Sequence, residues 1–176
     1  DFCLSRGLGD VYKRQIDGEP LSDMDVREEV DTFMFEGHDT TTSGIAFCLY
    51  NIAKYPKVQQ RVFDEVKSVL GSEEKSPKLT DLNDLHYLEL VIKESLRIFP
   101  PVPYYARKLT EDIKAGDFIL PENCSVYISP YLMGRDPEIF SNPLEFKPER
   151  FEIEKTCDFM NPYAYVPFSA GKLRIL

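Results

Sequence analysis

The ten residues Phe33-Met-Phe-Glu-Gly-His-Asp-Thr-Thr-Thr42 decide how this chain is interpreted. They lie inside a long stretch of helical periodicity, although a glycine and three β-branched threonines are poor residues for a helix interior. Threonine hydroxyls can bond to backbone carbonyls of the preceding turn and bend a helix locally. A violation of local propensity inside a strongly patterned element points to a functional site. The alternative is a kinked core helix with hydrogen-bonded threonines.

Composition restricts the possible functions. The chain has 176 residues with 43% hydrophobic content, enough for one domain with a sizeable core. A net charge of −9 and the lack of a dense Lys/Arg run argue against nucleic-acid binding. Four cysteines are scattered without Cys-x-x-Cys spacing, which fits a reducing compartment and supports neither a zinc ribbon nor a redox motif. They are Cys3, Cys48, Cys124 and Cys157.

Periodicity predicts three helices and then a small sheet. The first helix runs from about Asp23 to Lys54, with Ser22 as N-cap and Asp25 as its capping-box partner. The other elements follow from apolar spacing and from Pro and Gly breaks. They are a helix from Pro56 to Gly71, a helix from Thr80 to Phe99, strands at 105–109, 118–120 and 125–129, a short helix at 135–140, and a long loop at 141–171.

The glycine-threonine segment has the residues for oxygen chemistry. The missing side chain at Gly37 would let a flat ligand approach the backbone closely. Thr40 could hold dioxygen or water by its hydroxyl, and Asp39 could deliver protons inward. His38 is more typical of a structural histidine, since no second ligand stands at metal spacing. A metal hydrolase centred on His38 and Asp39 therefore lacks ligands.

Glu94 and Arg97 stand three residues apart, on one face of the third predicted helix. This spacing allows an ion pair. A Glu-x-x-Arg sequence is common, however, and a solvated surface pair of little energetic worth is the alternative.

Several motifs in this order resemble the cytochrome P450 monooxygenases. They are Gly37-His-Asp-Thr40, Glu94-Ser-Leu-Arg97 before Phe99-Pro-Pro101, Phe146-Lys-Pro-Glu-Arg-Phe151, and Pro167-Phe-Ser-Ala-Gly171. The segment Phe35-Glu-Gly-His-Asp-Thr-Thr41 is close to the version found in the fatty-acid ω-hydroxylase branch. The resemblance covers residues 16–171 and implies a partial cytochrome P450 fold, mainly α with a small β-sheet.

The resemblance assigns roles to individual residues. Asp39 and Thr40 would be catalytic in oxygen activation. Residues that would hold the haem are Glu36, Gly37, Arg107, Phe168 and Gly171. Among these, Glu36 could be esterified to a haem methyl group, or could instead be a hydrogen-bonded glutamate near the cofactor, and Arg107 would pair with a propionate. A buried structural triad would comprise Glu94, Arg97 and Arg150, and the substrate channel would include Val102, Pro103 and Tyr104.

The resemblance also implies what the parent protein does. It would insert one oxygen atom from O₂ into a fatty acid or similar lipid, with electrons from NADPH supplied by NADPH-cytochrome P450 reductase. The cofactor would be haem, iron protoporphyrin IX. The parent protein would be associated with the endoplasmic reticulum membrane on its cytosolic face, and no nucleic-acid partner is expected.

The two ends of the chain depart from the family pattern. Residues 1–15 match nothing in it, and residues 172–176 form an out-of-pattern tail. In register, Ile175 replaces the cysteine whose thiolate ligates the iron, and Cys157 comes too early to replace it. We therefore expect a fragment without the axial ligand, without monooxygenase turnover and with poor autonomous folding. The alternative function is a truncated, non-catalytic product.

Overall fold

The computed structural model describes residues 15–16, 19–20, 22–71, 76–152, 161 and 163–170. The chain divides into two compact units, Asp1–Thr42 and Ser43–Leu176. The first contains a two-stranded antiparallel pair, β1 (Gln15–Ile16) with β2 (Glu19–Pro20), and the start of the first helix. The second contains the remaining elements.

Helix α1 spans Asp23–Lys54, as predicted, and continues without a break through the glycine-threonine segment. It begins with the predicted capping box. The Asp25 amide donates to the Ser22 hydroxyl oxygen at 3.2 Å, and the Ser22 amide donates to the Asp25 carboxylate at 2.9 Å. The hydrogen bonds from Ser22, with its hydroxyl first, lower the pKa of Asp25.

Several large apolar side chains of α1 are exposed in this structure. Phe33, Met34 and Leu49 are each more than half exposed. Among the residues of α1, all of which the structure describes, Asn51 alone is buried. Its amide nitrogen donates to the Ser95 hydroxyl at 2.8 Å.

Three further helices follow. Helix α2 spans Pro56–Leu70, with proline in the first turn, and ends at Gly71, whose φ of 76° is readily adopted by glycine. Helix α3 is one turn, Leu79–Leu82, and α4 spans His86–Ile98. The single helix predicted from Thr80 to Phe99 is therefore two helices, because residues 83–85 form a turn between them.

Helix α4 lies at the centre of the core. Its Tyr87, Val91 and Ile98 are buried together with Phe146. Partly buried side chains of α1, α2 and neighbouring segments pack around them; these are Cys48, Ile52, Tyr55, Val58, Val62, Leu90 and Phe99. Tyr55 stacks on Phe146 with the ring centroids 5.0 Å apart. This packing places the Glu94–Arg97 turn of α4 inside the protein.

The small sheet region consists of two antiparallel pairs. Strand β3 (Tyr105–Lys108) pairs with β6 (Ser125–Ile128), so that Tyr105 faces Ile128. Strand β4 (Ile113–Ala115) pairs with β5 (Phe118–Leu120). Sequence reasoning missed β4. The signal was present, because the Gly116-Asp117 dipeptide between short runs predicts a two-residue hairpin, and Gly116 has a φ of 61°.

The short helix predicted at 135–140 was wrong. The structure instead has a one-turn helix α5 at Pro130–Met133, followed by turns through Phe140. Ser129 caps α5 by accepting a hydrogen bond from the Leu132 amide at 3.3 Å, and Pro130 suits its first turn. The Ser-Pro pair was therefore the helix start signal. A 3₁₀ helix, Pro148–Phe151, completes the described elements.

Candidate functional site

A buried charge cluster joins α4 to the 3₁₀ helix. The Glu94 carboxylate accepts from Arg97 through Nε at 2.7 Å and Nη2 at 2.8 Å, and from Arg150 Nε at 3.0 Å. The Lys147 amide donates to the same carboxylate at 2.7 Å. The side chains of Glu94 and Arg97 are fully buried, and that of Arg150 is 3% exposed. The surface-pair alternative for Glu94 and Arg97 therefore does not hold.

Backbone carbonyls take up the remaining donors of the two guanidinium groups. Arg97 Nη1 donates to the carbonyls of Gly134 and Pro143, the latter at 2.8 Å. Arg150 Nη1 donates to the Ser141 carbonyl at 2.9 Å, and both arginines donate to the Glu145 carbonyl at 3.2 Å. Two buried cations thus organise the irregular segment 134–145, which has little regular structure to satisfy its backbone. Among the described residues, no buried side-chain polar atom lacks a hydrogen-bond partner.

Gly134 is required where this segment meets α4. A Cβ added there would lie 2.6 Å from the backbone oxygen of Arg97 and 3.1 Å from its Cγ. A Cβ–oxygen separation this short is not tolerated, so only glycine permits the close approach. This residue was not singled out in the sequence, since its requirement depends on a contact 37 positions away.

The glycine-threonine segment lies on α1. The Thr40 hydroxyl donates to the Glu36 backbone carbonyl at 2.6 Å, so the side chain bonds to the preceding turn of the helix. A Cβ added at Gly37 would have nothing within 4 Å. Glu36 and Asp39 are exposed on the helix surface. The helix therefore presents an open position at Gly37, with a carboxylate and a partly buried hydroxyl following it.

Arg107 on β3 meets the loop that precedes Gly171. Its Nη2 donates to the Ser169 hydroxyl at 3.0 Å, and its Nη1 donates to the Ala106 carbonyl at 2.9 Å. Phe168, one residue earlier, is 52% exposed. Ser169 has a φ of 64°, an uncommon conformation for a serine, which marks a tight turn at this point. The structure thus brings together Arg107 and the loop of Phe168, while Gly171 lies outside the described residues.

The predicted channel residues follow the end of α4. Val102 is half-buried, whereas Pro103 and Tyr104 are exposed. The Pro103 carbonyl accepts from the Ser129 hydroxyl at 2.9 Å, which ties this segment to the start of α5. The rings of Tyr104 and Tyr127 lie 6.3 Å apart.

The described cysteines, Cys48 and Cys124, are free thiols. Burial raises the pKa of the Cys48 thiol, and Ser95 beside it lowers that pKa by a smaller amount. Cys48 therefore packs as an uncharged thiol beside the helix core. Neither Cys48 nor Cys124 forms a disulfide, and within the described ranges no three His, Cys, Asp or Glu side chains gather as a metal site. Cys157 and Ile175 lie outside those ranges.

Comparison with known proteins identifies the family. The family model described as Cytochrome P450 matches residues 2–174. The chain belongs to the cytochrome P450 family. It is 50% identical over 162 residues to Cytochrome P450 4d1 of Drosophila melanogaster and 54% identical over 162 residues to Cytochrome P450 4d2 of the same species. It is 49% identical over 155 residues to Cytochrome P450 4V2 of Mus musculus.

These relatives confirm the predicted family and its ω-hydroxylase-like branch. The matched region is 92% of this P450 chain but 32% of each of the two fly relatives, and it is 88% of the chain but 29% of the mouse relative. The chain thus spans about a third of their length. The predicted fold class, mainly α with a small sheet, is also confirmed. The predicted boundaries at residues 15 and 171 stay predictions.

Cytochrome P450s hold haem, and two features of this chain fit that group. A guanidinium suited to a propionate stands at the loop of Phe168 and Ser169. Open space at Gly37 suits the close approach of a flat ring system. The position of the axial ligand, Ile175 in register, is not among the described residues.

Proposed function

We propose that the protein to which this chain belongs is a haem-thiolate monooxygenase that hydroxylates fatty acids or similar lipids near the end of the alkyl chain. Electrons would come from NADPH through NADPH-cytochrome P450 reductase, at the cytosolic face of the endoplasmic reticulum membrane. The observation that carries the proposal is that 92% of the chain matches Cytochrome P450 4d1 at 50% identity and Cytochrome P450 4d2 at 54% identity. No helix within the described residues has the length and hydropathy to cross a membrane.

Thr40 and Asp39 would handle protons. When bound, the haem supplies the oxygen-activating chemistry, and the chain supplies the pocket and the proton path. The Thr40 hydroxyl donates its hydrogen bond to the Glu36 carbonyl. Its oxygen lone pairs are therefore available to accept a hydrogen bond from a water or a protonated ligand. The Asp39 carboxylate, one residue earlier and exposed, can exchange protons with water.

Cofactor binding would involve both the helix and the loop. Gly37 would leave room for the ring, and the neighbouring Glu36 would be the residue able to esterify it. Arg107 would pair with a propionate through the guanidinium that contacts Ser169. Phe168 and Gly171 would shape the loop, and Val102, Pro103 and Tyr104 would line the substrate channel. Glu94, Arg97 and Arg150 would hold the loop region in place without touching substrate.

The second candidate is a non-catalytic product. The observation that favours it is Ile175 at the register position of the thiolate cysteine, because an isoleucine side chain cannot ligate iron.

Two measurements distinguish the two candidate functions: the sequence of the transcript and the absorption spectrum of the reduced CO complex. Sequencing of the transcript through codon 176 shows whether a cysteine codon follows Gly171 in the family register. The protein from the complete reading frame is then reduced in the presence of CO. A red-shifted thiolate-type band, with NADPH-dependent hydroxylation of a medium-chain fatty acid, supports the monooxygenase. A haem protein without that band, or no haem at all, supports the non-catalytic product.

A matched pair of variants tests the role of Thr40. In the active protein, Thr40→Ala should keep the thiolate band and substrate binding while more of the consumed O₂ appears as hydrogen peroxide. Thr41 is the exposed neighbouring threonine, and Thr41→Ala should release no more hydrogen peroxide per O₂ consumed than the unsubstituted protein. Equal peroxide release from the two variants would remove Thr40 from the proton path.

A further inference from the structure

Tyr165 is a mostly buried residue whose role the family motifs leave open. It stands three residues before Phe168, and its hydroxyl donates to the Lys93 carbonyl on α4 at 3.0 Å. Its ring packs edge-on against Phe151 of the 3₁₀ helix, with the centroids 4.8 Å apart. The side chain therefore contacts both elements that carry the buried charge cluster.

We propose that Tyr165 is a positioning residue, which holds the loop Val166–Ala170 at a fixed distance from α4 and so places Ser169 against Arg107. Its significance for cofactor binding rests on the proposed function, in which this loop and Arg107 hold the haem. That the Tyr165 hydroxyl anchors the loop is inferred only from its contacts with Lys93 and Phe151.

The residues around Tyr165 form an anchored stretch followed by an exposed one. Ala164 and Val166 are 7% and 9% exposed, whereas Phe168 is 52% exposed. The Ser169 amide donates to the Val166 carbonyl at 3.1 Å, which closes the turn directly after the anchor. Displacement at Tyr165 would therefore be passed to Ser169 through a short, hydrogen-bonded turn.

The tyrosine hydroxyl is suited to a permanent donor role. Burial raises the pKa of Tyr165, and the nearby Glu94 carboxylate raises it further, against a smaller opposite effect of Arg97. The hydroxyl therefore stays protonated at neutral pH. Because Lys93 directly precedes Glu94, the loop is tied to the same helical turn that binds both arginines.

The first test is amide hydrogen exchange on the protein from the complete reading frame. Tyr165→Phe keeps the ring and removes only the hydroxyl, and Tyr163→Phe makes the same change at a tyrosine that is 64% exposed. Tyr165→Phe should accelerate exchange of the Ser169 amide, which is hydrogen-bonded to the Val166 carbonyl, by about five- to tenfold, as expected for one lost hydrogen bond. Exchange in Val91–Arg97 should stay within about twofold in both variants, because the α4 ladder is retained. Unchanged loop exchange in Tyr165→Phe, or equal acceleration in Tyr163→Phe, would overturn the proposal.

The second test uses the haem-loaded protein from the complete reading frame. Tyr165→Phe should at least double the fraction of reduced CO complex that lacks the thiolate-type band, and Tyr163→Phe should not. An unchanged fraction in Tyr165→Phe would overturn the link to cofactor binding. If the unsubstituted protein lacks the band, the proposed function fails instead, and the exchange experiment still decides whether Tyr165 anchors the loop.

Discussion

At the scale of single residues, the Glu94 carboxylate has the largest effect on this structure. It binds three side-chain donors and one backbone donor in a fully buried position. The net attraction within this buried charge cluster contributes little to stability, because buried charges lose their hydration. Removing one charged partner is costly, because it leaves another charge buried and unpaired.

Glu94→Gln should destabilise the chain by about 3–5 kcal/mol, because two buried guanidinium groups lose their shared counter-charge. The measurement is urea unfolding of the protein from the complete reading frame, followed by circular dichroism. Glu89→Gln is the matched control, since Glu89 is 60% exposed and pairs with Lys93 on the surface. That control should cost less than about 1 kcal/mol. Equal losses in the two variants would contradict the buried cluster.

Gly134→Ala should destabilise the chain by about 1–3 kcal/mol, because the added methyl group overpacks the contact with the Arg97 backbone. Gly44→Ala provides the comparison. Its added Cβ would meet the nearest atom at 3.5 Å, an ordinary contact, and it lies within a helix where alanine is favoured. Thermal unfolding of both variants is the check, and a destabilised Gly44→Ala with a neutral Gly134→Ala would refute the steric argument.

At the scale of elements, α4 depends on a cap from another helix. Leu85 stands at its N-cap and provides no side-chain acceptor. Glu65 on α2 accepts from the amides of Tyr87 at 2.6 Å and Leu88 at 2.9 Å. A carboxylate here satisfies two otherwise unpaired amides and complements the positive end of the helix dipole.

Glu65→Ala should cost about 0.5–2 kcal/mol, the usual range for a lost N-cap. Asp64→Ala is the matched control and should be nearly neutral. Among the contacts that the structure shows, the Asp64 side chain accepts a hydrogen bond only from exposed Gln60. Amide exchange should localise the effect to the first turn of α4. Loss of protection spread evenly over α2 and α4 would argue for a general packing defect instead.

The start of α1 should depend on pH through Asp25. Because its pKa is lowered in the folded helix, Asp25 stabilises the first turn above the ordinary carboxylate range, and this stabilisation is lost as pH falls through the lowered pKa. Cα chemical shifts of residues 23–26 across an acid titration measure the helicity of that turn. Asp25→Asn should remove this pH dependence, and a variant that retained it would place the titration elsewhere.

At the scale of the whole molecule, negative charge determines which partners the chain attracts. With a net charge of −9, the chain should be retained by an anion exchanger at pH 7 and should not bind duplex DNA at physiological salt. Fluorescence anisotropy with a labelled duplex is the measurement. Saturable binding that weakens with added salt would contradict the expectation.

The sequence by itself predicted the family through the resemblance of its motifs. It also predicted the bounds of α1 and α2, because periodicity, caps and breakers act over a few neighbouring residues. It also predicted which residues to examine, since Glu94 and Arg97 share a face by spacing alone. The β4 strand and the true position of α5 were missed although local signals existed, in Gly116-Asp117 and Ser129-Pro130.

Only the tertiary structure decided which of these residues are buried and what they contact. The carbonyls that hold Arg97 and Arg150, the cap that Glu65 provides for α4, the close approach at Gly134 and the anchor at Tyr165 all join residues far apart in the chain. Such contacts follow from how elements pack. Packing depends on shapes and hydrogen-bond geometry summed over the core, and the spacing of residues along the chain does not contain that information.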